Sequence, residues 1–133
     1  MKLFNHFAPG ASPPLNKKVR GQICGSLLGE PVMTMKDFRT YQYSVSFYRS
    51  IEKLVLKGHL RNQMLRAASS IVLNLAEGRG RGSRRDQKKF FTIALGSVRE
   101  CQAILELAGR CHLEAAELAD RLGGSIYLLI QRG

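Results

Sequence analysis

Between His59 and Ala108 apolar side chains return every three or four positions, and the pattern breaks once, at the run GRGRGS from Gly78 to Ser83. That spacing is the period of an α-helix, and here it makes two stripes side by side. Over 59–78 the first stripe is Leu60, Met64, Ala67, Ile71 and Leu75; the second is Leu65, Ala68, Val72 and Ala76. A surface this broad predicts burial on more than one side. Ala67, Ala68, Ser69 and Ser70 are all small, which predicts close approach of a neighbouring helix. Gly78 is expected to end the helix. Ser83 then reads as the N-cap of the next one, with Asp86 as a short relative of the capping-box glutamate. That next helix is predicted over 84–108, stopping at Gly109. Phe90, Ile93, Ala94, Ser97, Cys101, Ile104 and Ala108 form one face, widened by Phe91, Leu95, Val98 and Leu105. It is the longest helix and reaches roughly 37 Å.

Two more helices flank this pair. Over 37–56, Phe38, Tyr41, Val45 and Tyr48 fall three or four apart, and Phe47, Ile51, Leu54 and Val55 continue the stripe up to a stop at Gly58. Its aromatic and β-branched residues lower helix propensity and leave a strand as the weaker reading. Over 113–130 the inner stripe is Leu118, Leu122, Ile126 and Leu129. Gly123 and Gly124 weaken its middle by about 1 kcal/mol each relative to alanine, which predicts a kink or a close helix contact there. Four helices with short connections make antiparallel neighbours. The fold class is all-α, an antiparallel up-down-up-down four-helix bundle over residues 35–133. Residues 1–34 hold all four prolines and no lasting period, so a disordered or loosely ordered extension is expected. Periodic sequence begins near Met33 and Met35, either of which is a candidate natural start.

Charge points to partners. The chain has 21 lysines and arginines against 10 acidic residues, a formal net charge of +11. That balance favours a polyanion: RNA, DNA or an acidic membrane surface. No apolar run is long enough to span a membrane, and no secretory signal opens the chain. The three cysteines Cys24, Cys101 and Cys111 match no disulfide framework, so a reducing, cytoplasmic setting is expected. The positive charge is densest at Arg79, Arg81, Arg84, Arg85, Lys88 and Lys89, opposed only by Asp86. These six are the expected nucleic-acid-binding residues. The glycines at 78, 80 and 82 let backbone amides approach a phosphate, and Ser83 opens a helix with a positive N-terminus. A solvated connection with no ligand is the competing reading. Contacts of this kind give affinity without reading sequence.

Catalysis finds little support. His6, His59 and His112 sit in no HExxH or Glu-x-x-His pattern, and there is no CxxC, so neither metal nor cofactor is expected. GRGRGS follows a helix and lacks the Gly-Lys-Ser/Thr ending of a nucleotide loop. An enzyme would need a pocket gathering Glu77, Glu100 or His112. Arg66, Asn74, Glu77 and Arg99 are expected to form a structural polar network between helices, because such groups need partners when buried.

The stretch QMLRAASSIVLNLAEGRGRGSRRDQKKFFTIALGSVRECQAIL, 63–105, resembles the four-helix bundle proteins encoded in intervening sequences of bacterial 23S rRNA genes. The likeness rests on Arg66-Ala67-Ala68, Ser70-Ile71, Asn74-Leu75-Ala76-Glu77-Gly78, Phe90, Ile93-Ala94, Gly96-Ser97 and Glu100. MKDFRTYQ, 35–42, is similar to the family's opening, and the resemblance covers about residues 35–131. Residues 1–34 have no counterpart, as expected if they are read through flanking rRNA-gene sequence, and Leu75 stands where the family often has Ile. The resemblance implies a bundle that assembles into a ring-shaped homopentamer and has no enzyme activity. It also implies kinship with the accessory protein of diversity-generating retroelements, a basic ring that binds nucleic acid and a reverse transcriptase. The expected function is therefore a non-enzymatic, ribosomal-like RNA-binding ring, RNA being preferred on the family's genomic context. The alternative is an adaptor for an acidic protein partner such as a reverse transcriptase complex.

Overall fold

A computed structural model describes residues 35–109 and 112–132. A 3-10 turn, Met35–Asp37, leads into four helices: α1 Arg39–Glu52, α2 Gly58–Arg79, α3 Arg84–Ala108 and α4 Leu113–Gln131. Helices α1 and α2 pack together, as do α2 and α3, α3 and α4, and finally α4 and α1. Short turns join successive helices, so neighbours run antiparallel and the bundle is up-down-up-down. The extension expected over 1–34 lies outside the described residues.

The core derives from the helical spacing. Helix α2 buries Met64, Ala67, Ala68, Ile71 and Leu75. Against them lie Phe91, Ala94, Val98, Cys101, Ile104 and Leu105 of α3. Phe47 and Ile51 of α1 and Ala115, Ala119, Leu122 and Ile126 of α4 complete the cluster. Each fully buried large aliphatic or aromatic side chain contributes about 1.5–3 kcal/mol of transfer free energy. The face of α3 is turned from the one its spacing predicts: Ile93 is 44% exposed, and the buried line runs through Phe91 and Val98. On α4 the alanines take the inner line, and Leu118 and Leu129 pack at its edges. The helix runs unbroken through Gly123 and Gly124. The close contact is at Gly123 alone, where a Cβ would stand 3.4 Å from Val98 Cγ1, while Gly124 has open space beside it.

Helix α1 ends at Glu52, four residues before the predicted end at Leu56. Residues 53–57 form an extended turn instead, in which Leu54 and Leu56 pack on the core while Lys53, Val55 and Lys57 face out. Arg61 holds it, donating from Nη1 to the Leu54 carbonyl (2.9 Å) and from Nη2 to the Glu52 carbonyl (3.2 Å). Gly58, read as a helix stop, instead begins α2.

The polar group between α2 and α3 also differs from expectation. Ser70 Oγ and Ser97 Oγ meet at 2.9 Å, and Asn74 Nδ2 donates to the Ser70 carbonyl (2.8 Å) and Oγ (3.1 Å). Of the four residues expected to form a network, only Asn74 takes part. Arg66 and Arg99 are exposed, and Glu77 turns to Arg81. The long cations keep their charge in water, which avoids the cost of desolvation, while two small hydroxyls fit where the helices come close.

Candidate nucleic-acid interface

The end of the bundle where α2 gives way to α3 carries all six expected contacts. Helix α2 continues through Gly78 to Arg79. Gly78 is buried under an aromatic pair: a Cβ there would lie 2.7 Å from Phe91 Cε1 and 3.1 Å from Phe90 Cβ. It is a glycine for space, not for stopping the helix. Gly80 caps α2 at φ −80°, and its amide reaches the carbonyls of Ala76 (3.3 Å) and Glu77 (3.2 Å). Among the described residues only Gly109, after α3, has a positive φ, at 98°. The turn at 80–83 therefore makes no use of left-handed backbone.

Hydrogen bonds fix that turn. The Arg81 amide donates to the Gly78 carbonyl (3.1 Å), and Gln87 Nε2 donates to the Arg81 carbonyl (3.0 Å). Ser83 is the N-cap of α3 as predicted, its Oγ accepting from the Asp86 amide at 3.1 Å. The cap satisfies one of the free N–H groups at the start of the helix.

The six cations divide into two sets. Arg79 lies over the Phe38 ring, 5.2 Å from its centroid. Arg81 pairs with the Glu77 carboxylate one turn earlier and lies 4.7 Å from the Phe90 centroid. Arg84 points inward, with Nη2 donating to the carbonyls of Leu129 and Arg132 and Nη1 to Gln87 Oε1 at 3.2 Å. Its guanidinium, expected on phosphate, is taken up by carbonyls at the end of α4, where positive charge also suits the helix dipole. Arg85, Lys88 and Lys89 form the second set. They lie along the first two turns of α3, and their side chains make no ion pair or hydrogen bond to a described residue. Spacings of three and four residues put them on one face of the helix. Lys36 and Arg39 at the start of α1, and Arg132 after α4, stand at this same end, where the carboxylates are Asp37, Glu77 and Asp86.

The fixing residues Phe38, Phe90 and Gln87 escape a reading that attends to charge alone. Gln87, three residues after Arg84, was the available signal.

Neither of two clefts along α3 and α4 gathers Glu77, Glu100 and His112 into a catalytic set. The two adjoin, at about 740 and 280 Å³, and His112 lines the larger, but Glu77 and Glu100 line neither. No group of three His, Cys, Asp or Glu among the described residues is placed to hold a metal ion. Cys101 is buried in the core, and burial first, then the charge of Glu100, pushes its thiol up to about 12. Such a thiol is a packing group, not a nucleophile. No described helix is long and apolar enough to cross a membrane.

In comparison with known families, the model of the 23S rRNA-intervening sequence protein family matches residues 36–129, from the turn before α1 to the last turns of α4. No curated protein and no solved structure matches the chain at comparable stringency.

Proposed function

The chain belongs to the 23S rRNA-intervening sequence protein family, and we propose that it works by binding RNA, without catalysis, as a homo-oligomeric ring in the cytoplasm. The observation that carries this reading is the crowding of cations at one end of the bundle, with Arg85, Lys88 and Lys89 exposed or half-buried and unengaged on α3. They sit beside the N-terminus of a 25-residue helix, whose free amides add positive potential. Arg79 and Arg81 extend the surface, held in place by Phe38 and Phe90. Fixed cations of this kind contact the phosphate backbone and give affinity without base readout. Several copies in a ring raise a weak contact through effective concentration.

The test is binding of the full chain to a 23S rRNA fragment across a salt series. Binding is expected to weaken steeply with salt, with a slope of about −0.7 per single-strand phosphate neutralised. The triple variant Arg85→Ser, Lys88→Ser, Lys89→Ser should lose both affinity and slope. Arg84→Ser should keep the slope, because its guanidinium serves α4. Absence of binding at low salt by an assembled protein would overturn the RNA reading in favour of an acidic protein partner.

A further inference from the structure

The end of the bundle away from the basic face carries two further exposed surfaces. One is the α1–α2 turn. Its leucines face the core, and Lys53, Val55 and Lys57 face out, with Val55 88% exposed. The two Arg61 hydrogen bonds hold this knob in shape. The other is the larger cleft between α3 and α4. Ala103 and Ala116 line it with Leu113, and Glu106 and Asp120 supply two carboxylates against the one guanidinium of Arg99, with His112 beside them. Leu113 is 70% exposed. Gln102 Nε2 reaches across to Asp120 Oδ1 at 2.7 Å and ties the two walls together. In a chain of net charge +11, half of the 10 acidic residues fall within 100–120: Glu100, Glu106, Glu114, Glu117 and Asp120.

Position matters as much as charge. Each helix packs on its two neighbours in the order α1, α2, α3, α4 and back to α1. The α1–α2 edge and the α3–α4 edge are therefore opposite sides of the bundle. Both turns lie at the same end, because the helices alternate in direction. A contact from one edge to the opposite edge at the same height sets bundles side by side with their axes pointing the same way. Joining two different patches is a head-to-tail contact, which repeats and closes into a ring when its rotation allows.

We infer that the α1–α2 turn of one copy seats in the α3–α4 cleft of the next. Val55 meets Leu113 and the alanine floor, while Lys53 and Lys57 face Glu106 and Asp120. The contact rests on the proposed ring and names the surfaces that would build it. It leaves Arg85, Lys88 and Lys89 of every copy uncovered at the other end, all presented in one direction.

The experiment is light scattering on the full chain after gel filtration. Lys53→Glu with Lys57→Glu reverses the knob, and Glu106→Lys with Asp120→Lys reverses the cleft. All four positions are exposed, and circular dichroism checks that helix content is kept. Wild type is expected to assemble and each double variant alone to lose assembly. A chain carrying all four substitutions should recover it, because every contact then regains opposite charges whatever the number of copies in the ring. Val55→Asp, a third variant outside the charge pairs, should also lose assembly. A wild-type chain that stays monomeric at every concentration overturns the ring reading and the inference with it. A wild-type oligomer that all three variants match overturns the inference alone, as does loss in the double variants without recovery in the fourfold variant.

Discussion

Two turns bound α2, and their compositions suggest opposite behaviour. The first, 53–57, reads KLVLK and has no glycine; the second, 80–83, reads GRGS and has two. Glycine in the second suggests a loose connection, and the leucines of the first suggest continuing helix. Both are defined turns, held by hydrogen bonds between side chains and the main chain. Arg61 braces the first turn from within α2. The second is braced by Gln87 and Ser83, while Arg84, the first residue of α3, reaches away to α4. Order at a turn thus depends on whether carbonyls and amides find donors and acceptors, not on how many glycines the turn contains.

The strongest way to separate the two turns is to remove what the second packs on. Phe91→Ala is expected to cost about 3–5 kcal/mol in chemical denaturation, since the ring is buried against Gly78. Removing the braces comes next. Arg61→Ala and Arg84→Ala should each cost about 1–3 kcal/mol through carbonyls left without a charged donor. Hydrogen exchange should separate them: the first loosens residues 53–57, the second residues 129–132, and neither loosens 80–83. The smallest effect has the opposite sign. Gly80→Ala and Gly82→Ala should each stabilise by about 0.4–1 kcal/mol, because neither site uses a positive φ or lacks room for a Cβ. A loss of stability in thermal melts would mean that the turn depends on glycine after all.

These contrasts also mark where the sequence was readable. The bounds of α3 were legible to the residue, since Ser83 and Gly109 are a true N-cap and a true positive-φ stop. The end of α1 was not. Leu54 and Val55 fall at helical spacing after Ile51, while the alternation that places Leu54 and Leu56 inside is too short to stand out. The position of the basic surface was legible, but the state of its arginines was not. The acceptors of Arg84 lie 45 and 48 residues away in sequence. The polar group between α2 and α3 was misread because long charged residues drew attention from Ser70 and Ser97. Their hydroxyls are small enough to meet only where α2 and α3 run close.

The long reach of Arg84 has a consequence for the order of folding. Contacts between α2 and α3 join segments adjacent in the chain, and such local contacts form early because little loop entropy stands against them. The link from Arg84 to Leu129 and Arg132 forms only after α4 has come back to the start of α3. It acts as a latch on a structure largely made before it closes. An interaction of that kind, absent from the transition state, sets how slowly the bundle comes apart and hardly affects how fast it assembles.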